Sequence, residues 1–228
     1  MSDLIDTTEM FLKAIYELNE VGAPAMRARL TERLDQAMPS VSQTISRMTR
    51  EGLVTLDEDR HVVLTELGMA RATSVLRKHR MAERLLHDVL GLEWSKCHEE
   101  ACRWEHVITD EAELLIAQKL GSLDADPYGN PIPGLAALGL PAASAPAPKQ
   151  HLTEALAIDG SRTCTLASIA EAAQARPDFL RQLAGAGIGI GSEVSCSRAG
   201  GNYRLQAVGG SVSVGLDRQL AEQCFVLV

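Results

Sequence analysis

The sequence has no apolar run long enough to cross a bilayer, and its first ten residues, MSDLIDTTEM, are acidic where a secretory signal would be basic. It also lacks the cysteine spacing of small secreted proteins, and its five cysteines are odd in number. These absences predict a cytoplasmic protein with reduced thiols that is neither secreted nor membrane-spanning. Of 228 residues, 46% are hydrophobic and 23% charged, which excludes a disordered chain and suffices for a core without disulfides.

Positive charge is also scarce, because 22 Lys and Arg face 30 Asp and Glu, a net charge of −8. That balance alone argues against a nucleic-acid partner. The charge is uneven, however, since residues 26–50 carry five arginines against two carboxylates. A small basic region on an acidic body can bind DNA, because contacts with phosphate are local.

Composition and periodicity divide the chain into three blocks and a linker. Residues 1–73 predict three helices followed by a hairpin, and residues 74–140 predict a helical block. Residues 141–149 contain Pro, Ala and Ser and predict a linker, and residues 150–228 are Gly-rich and predict a small β-domain. The individual helices are expected at 7–18, 27–34, 39–52, 65–90, 95–108 and 110–120, with a helical turn at 178–183 and a hairpin over 53–64.

The first block has the order of a winged helix-turn-helix. In its third helix Val41, Ile45 and Met48 form the inward stripe, which leaves a polar and cationic outer face. The N-terminal side chains of such a helix read base edges in the major groove, where Gln43 can pair with adenine and Pro39 can touch a thymine methyl. The alternative is a solvated amphipathic helix. The candidate DNA-contacting residues are Arg27, Arg29, Pro39, Ser40, Ser42, Gln43, Thr44, Arg47, Arg50 and Arg60.

The second block carries donors with metal-ligand spacing. His98, Cys102, Glu105 and His106 fall at i, i+4, i+7 and i+8, which places them on one face of a helix. His79 and Glu83 share a face of the preceding helix, and His98 could join them in a second site. A thiolate, an imidazole and a carboxylate together suit a first-row transition metal rather than calcium or magnesium. The alternative is a stripe of polar surface pairs with Cys102 buried. The other cysteines, Cys97, Cys164, Cys196 and Cys224, are expected to pack in the core.

Six segments within residues 3–140 carry a more specific pattern. They are DTTEMFLKAIYEL, RARLTERL, PSVSQTISRMTREGLV, RKHRMAERLL, HEEACRWEHVITDE and GNPIPGL. Together they resemble the iron-dependent repressors of the diphtheria toxin repressor family, and the C-terminal block resembles that family more weakly. The resemblance implies a mainly α fold with small β parts: a winged helix-turn-helix domain, a helical metal-binding and dimerisation domain, and a C-terminal SH3-like β-barrel.

The resemblance also implies a function. It implies a homodimer, with one or two dimers per operator, that represses iron-uptake and iron-homeostasis genes at inverted-repeat operators when Fe(II) is abundant. Two ions per subunit are implied, with Co(II), Ni(II), Mn(II) and Zn(II) as surrogates. Residues matching the regulatory site are Met10, Cys102 (also through its carbonyl), Glu105 and His106. Residues matching the ancillary site are His79, Glu83, His98, Glu171 and Gln174, of which the last two are carried over from their acid-x-x-Gln spacing.

Two departures refine these expectations. Manganese-responsive relatives carry Asp and Glu where this chain has Met10 and Cys102, so the softer donors here favour Fe(II). A Ser that helps the family hold an anion, with matches to Arg80 and Asn130, is replaced by Asp126, which would repel an anion.

Three alternatives stay open at this stage. One is a Mn(II)-responsive regulator of the same fold. Another is a metalloenzyme using the same donors, although the sequence shows no activated nucleophile or phosphate loop, and we expect no catalytic residues. The third is a winged-helix regulator that needs no metal and uses its C-terminal domain to bind protein.

Overall fold

The computed structural model describes residues 2–144 and 147–228, with side chains from residue 7 onward. The N-terminal part contains α1 (Ser2–Glu20), α2 (Arg27–Leu34), α3 (Met38–Arg50), β1 (Val54–Leu56) and β2 (Val62–Leu64). Pro39 lies in the first turn of α3, where its missing N–H costs nothing. The strands form an antiparallel hairpin in which Val54 pairs with Leu64. The winged helix-turn-helix order is thus as predicted.

These elements surround a core of their own. Its fully buried members come from all three helices and the hairpin: Phe11, Leu12, Ile15, Leu30, Val41, Ile45, Met48, Leu53, Val54 and Val62. The predicted inward stripe of α3 is therefore confirmed, and the opposite face of that helix is left outside the core.

The middle part contains α4 (Glu66–Arg84), α5 (Trp94–Trp104) and α6 (Asp110–Leu120). The hydroxyl oxygen of Thr65 accepts the Gly68 amide at the start of α4, and Thr109 accepts the Ala112 amide at the start of α6. Helix α4 continues into a π-helical turn over Leu85–Val89, so the expected helix of 65–90 changes its hydrogen bonding near its end. The expected helix of 95–108 ends earlier, at Trp104.

The C-terminal part is a β-sheet domain with short helices, as predicted. In chain order it contains β3 (Gln150–His151), α7 (Leu152–Ala155), β4 (Gly160–Ile169), α8 (Glu171–Gln174), α9 (Pro177–Gly185), β5 (Glu193–Ala199), β6 (Asn202–Ala207), β7 (Ser213–Leu216), α10 (Arg218–Glu222) and β8 (Cys224–Leu227). The strands form one six-stranded antiparallel sheet in the order β3-β8-β4-β5-β6-β7.

One expectation about the cysteines is wrong. Cys164 of β4 and Cys196 of β5 form a disulfide, although reduced thiols were expected throughout. The register pairs Cys164 with Val194, so Cys196 lies diagonally across on the same face of the sheet. Cys97 and Cys224 are buried, as expected of packing residues, and Cys102 is partly buried.

The C-terminal domain shares a core with the middle part. Tyr128 is fully buried and belongs to one apolar cluster with residues of α4, α5 and the sheet. Its carbonyl accepts the Ile169 amide, and its ring stacks on Trp94. A Cβ on the following residue, Gly129, would lie 2.1 Å from the Ala167 carbonyl oxygen, so only glycine permits this close approach. The C-terminal domain is therefore docked.

The boundaries at residues 73/74, 140/141 and 149/150 stay predictions. The linker prediction covers Ala145 and Pro146, which lie outside the described residues. In the part of the chain that the structure describes, no helix has the length and apolar character to span a membrane.

Candidate metal centre and nucleic-acid interface

Helices α1, α4, α5 and α8 meet at a buried group of polar side chains. Helix α4 contributes two of them, α5 two more, the residue after α5 one, and α8 one. We call the following six side chains the donor cluster: His79, Glu83, His98, Cys102, Glu105 and Glu171. All but Cys102 are at most 5% exposed. Burial of so many ionisable groups requires partners for each, which makes the cluster the strongest candidate for a functional site.

The predicted ancillary residues lie together. Nε2 of His79 is 2.8 Å from Oε1 of Glu83, and Nδ1 of His98 is 3.2 Å from the same oxygen. Oε2 of Glu171 is 3.5 Å from Nε2 of His79. The first turn of α8 thus brings a carboxylate of the C-terminal domain to two histidines of the middle part. Gln174, on the same short helix, is 1% exposed and donates its amide to the Ile169 carbonyl.

The predicted regulatory residues lie less close together. Helix α5 ends at Trp104, and Glu105 caps it with helical dihedral angles and an amide bonded to the Ala101 carbonyl, so Glu105 keeps the predicted face while His106 lies beyond the helix. Oε1 of Glu105 is 3.2 Å from Nε2 of His106, whose Nδ1 is 2.6 Å from Oε2 of Glu9 on α1. Sγ of Cys102 is instead near His98, 3.7 Å from its Nε2. Met10 is 41% exposed on α1.

The structure adds one residue that sequence reasoning missed. Lys13 of α1 is 5% exposed and donates from Nζ to Oε2 of Glu105 at 2.7 Å. The same nitrogen lies 3.0 Å from Nδ1 of His79 and 3.5 Å from Oε2 of Glu171. A lysine inside the apolar stretch FLKAIY, three residues after Met10, is the signal that could have revealed it.

The electrostatics of the cluster favour anionic donors. Burial raises the pKa of the Cys102 thiol, but Lys13 and His79 outweigh that effect and lower it to about 5. Hydrogen bonds to the carboxylates of Glu105 and Glu9 raise the pKa of His106 to about 9. Burial lowers the pKa of His98, but contacts with Cys102 and Glu83 raise it to about 9. At neutral pH a thiolate and several carboxylates therefore face protonated imidazoles and an ammonium.

The donors fit a divalent metal ion on two grounds. Among the described side chains of this region, Oε2 of Glu83, Oε1 of Gln174 and Oε1 of Glu17 are buried without a hydrogen-bond partner, and Oε2 of Glu171 has only ion-pair contacts at 3.5 Å with Lys13 and His79. A buried carboxylate oxygen without a donor is costly, and a cation would satisfy it. Ligand atoms of His79, His98 and Cys102 also lie within 4.8 Å of one another, and mixed N, S and O donors suit first-row transition metals.

Arg80 and Asp126 form a second buried network beside the donor cluster. Arg80 is fully buried and donates to both carboxylate oxygens of Glu20 on α1, to Oε1 of Glu171 and to the carbonyl of Pro131. Asp126 lies 3.6 Å from its Nε and accepts backbone amides of Tyr128 and Asn130 and the side-chain amide of Asn130. Arg80 and Asn130, which the resemblance assigns to an anion site, therefore contact Asp126, a carboxylate of the chain itself.

The outer face of α3 carries most of the predicted DNA contacts. Pro39, Ser40, Gln43 and Arg50 are exposed, while Ser42 and Arg47 are half-buried. Arg47 also pairs with Glu51 at 3.3 Å. The turn of the hairpin exposes Arg60, and Arg27 is half-buried at the start of α2.

Two members of that predicted set are placed differently. Thr44 is 9% exposed because it lies beside Ile45 on the buried side of α3, so it is less accessible than the other predicted contacts of this helix, and its role stays a prediction. Arg29 donates to the Pro24 carbonyl and lines a cleft shared with α8 and α10 of the C-terminal domain.

Comparisons with known proteins agree with this architecture. Residues 3–62 match the model of the iron dependent repressor N-terminal DNA binding domain, and residues 65–134 match that of its metal binding and dimerisation domain. The diphtheria toxin repressor of Corynebacterium diphtheriae is 45% identical over 214 residues, which cover 94% of each chain. The iron-dependent repressor IdeR of Mycobacterium tuberculosis is 55% identical over 140 residues, 61% of each chain.

Solved structures share the fold at lower identity. A manganese-dependent transcriptional repressor in complex with manganese superposes with a TM-score of 0.76 at 28% identity, covering 96% of this chain and 99% of the other. The fold therefore extends through the C-terminal β-sheet domain, beyond the residues that the two family models match.

Proposed function

Since this chain belongs to the iron-dependent repressor family of metal-dependent transcriptional repressors, we propose that Fe(II) activates it to bind inverted-repeat operator DNA as a homodimer. The family's DNA-binding and dimerisation domains support DNA and a second copy of the chain as partners. The names of the relatives support a regulator rather than an enzyme. A repressor acts where its operator is, so the proposed location is the cytoplasm.

One observation carries the proposal: helix α1 of the DNA-binding domain contacts the donor cluster directly. Lys13 reaches Glu105 of the cluster, and Glu9 reaches the neighbouring His106, so the occupant of the cluster affects the helix on which the DNA-binding domain is built. A ligand that binds one arrangement of α1 better than another shifts the population towards it. A change at the donor cluster can therefore reach α2 and α3 through α1.

Two ions per subunit are proposed. The regulatory ion would be held by Met10, Cys102, Glu105 and His106, and the ancillary ion by His79, Glu83, His98, Glu171 and Gln174. A divalent ion bound there would neutralise the thiolate and carboxylates. Met10, 41% exposed on α1, would supply a thioether from the DNA-binding domain to the regulatory set. Soft donors at these two positions favour Fe(II) over Mn(II).

The proposal is tested by Met10→Ala, with Met69→Ala as the control because Met69 is similarly exposed, at 42%, but lies on α4 away from the cluster. Anaerobic fluorescence anisotropy would measure binding to an inverted-repeat duplex with Fe(II). We expect Met10→Ala to remain a folded dimer and to need a much higher Fe(II) concentration, while Met69→Ala behaves as wild type. Wild-type affinity and metal response in Met10→Ala would exclude Met10 from the regulatory site.

A further inference from the structure

Lys13 contacts donors assigned above to both metal sites. Its Nζ lies 2.7 Å from Glu105 and 3.9 Å from Cys102, which belong to the regulatory set. It also lies 3.0 Å from His79 and 3.5 Å from Glu171, which belong to the ancillary set. One ammonium therefore lies beside donors of both proposed metal sites.

The chain needs this charge when no metal is bound. Carboxylates buried together repel one another and lose their hydration, so a cation must compensate them. Lys13 supplies part of that charge for Glu105 and Glu171, beside His79, which is 2.6 Å from Glu105, and Arg80, which is 3.2 Å from Glu171. Its aliphatic stem packs so that the residue is only 5% exposed. In the metal-free chain the ammonium thus shares in the charge compensation that a divalent ion would supply.

The two cations oppose each other. Oε2 of Glu105 accepts Lys13 at 2.7 Å, which leaves Oε1, 3.2 Å from Nε2 of His106, as the carboxylate oxygen open to a metal. Placing a divalent ion within a few ångströms of a buried ammonium adds a strong repulsion, because the surroundings screen charges poorly. Movement of Lys13 away from Glu105 therefore favours binding of the ion.

The structure offers a place to which Lys13 can move. Glu17 lies one turn later on α1, and its Oε1 is 3.9 Å from Nζ of Lys13. That oxygen is buried and has no hydrogen-bond partner among the described residues. An ammonium released from Glu105 can reach it by rotation of its own side chain.

We propose that Lys13 is an internal competitor of the metal ion, a residue that sets the metal concentration at which the chain responds. This inference rests on the proposed function. It adds that release of Lys13 from Glu105 breaks one contact between α1 and the segment after α5, while the contact of Glu9 with His106 is a separate one.

The direct test is Lys13→Leu, which removes the charge and adds no atom able to bind a metal. Lys96→Leu is the matched control, because Lys96 lies exposed on α5 and pairs only with Glu93 among the described residues. Anaerobic Co(II) titration against a chromophoric chelator would give the affinities of the metal-free proteins. We expect Lys13→Leu to bind Co(II) about tenfold more tightly or better, a factor worth about 1.4 kcal/mol. Lys13→Arg should retain weak binding, and Lys96→Leu should match wild type.

Unchanged or weaker Co(II) binding by folded Lys13→Leu would overturn the inference. Should that variant not fold, acetylation of wild-type lysines by acetic anhydride, mapped by peptide mass spectrometry, decides the question. Zn(II) saturation should raise labelling of Lys13 severalfold relative to Lys96, and no rise would overturn the competitor role. If wild type binds neither metal, the proposed function fails and the inference with it.

Discussion

The proposed recognition of an operator relies on a few side chains that α3 leaves outside the core. Gln43 is the exposed member of this helix best suited to read a base, because its amide can both donate to and accept from adenine. Arg50 and Ser40 are exposed on the same helix and suit phosphates, which position the protein without specifying sequence.

Gln43→Ala should therefore weaken binding to a specific operator by about 1–3 kcal/mol and leave binding to random DNA nearly unchanged. Gln219→Ala is the control, since Gln219 is exposed on α10 in the C-terminal domain. Anisotropy at fixed salt, with operator and scrambled duplexes, measures both. Equal losses on the two duplexes would show that Gln43 only positions the helix.

Single residues also show what could be predicted from the sequence. His79, Glu83 and His98 were predictable because imidazoles and carboxylates at helical spacing rarely form a core. Met10 came only from the family resemblance, since an isolated thioether on an amphipathic helix is indistinguishable from a packing residue. Lys13 was missed because a lysine is usually solvated, and only the tertiary structure shows the carboxylates that hold it.

At the scale of elements, the hairpin and α4 are joined tightly at the end of the DNA-binding domain. Thr65 donates its hydroxyl to the Gly52 carbonyl and accepts the Gly68 amide. A Cβ on Gly68 would lie 1.9 Å from the Leu53 carbonyl oxygen. Glycine at this position lets the first turn of α4 lie directly against the chain that leads into the hairpin.

Gly68→Ala should therefore lower the free energy of unfolding by about 1–3 kcal/mol, although alanine is the better helix former. Gly185→Ala is the matched control, because Gly185 is also helical and a Cβ added there would meet no described atom within 4 Å beyond its own helix and chain neighbours. Urea unfolding followed by circular dichroism compares the two. A neutral or stabilising Gly68→Ala would contradict the close packing of α4 against the hairpin.

Element boundaries were less predictable than element types. Apolar periodicity located α4 but could not distinguish its regular part from the π-helical turn of Leu85–Val89, which uses the same residues with shifted hydrogen bonds. The end of α5 at Trp104 was also missed. It matters for the site, because Glu105 caps the helix and contacts Lys13, while His106 follows it and contacts Glu9, both on α1.

At the scale of the whole molecule, the donor cluster lies where all three parts of the chain meet. Arg80 of α4 joins Glu20 of α1 to Glu171 of α8, and Tyr128 places the C-terminal domain in a shared core. The Pro- and Ala-rich linker gave no indication of this docking, because its composition permits both a mobile and a fixed domain. The long-range contacts that assemble the cluster are formed by tertiary packing alone.

The central claim is that occupancy of the donor cluster controls DNA binding. It is tested most directly by anaerobic anisotropy of the wild-type protein on an inverted-repeat duplex, with Fe(II), with Mn(II) and with a chelator at fixed salt. The account predicts tight binding with Fe(II), a higher concentration requirement for Mn(II), and loss of binding when the chelator is added. Operator binding that is the same with and without the chelator would contradict it.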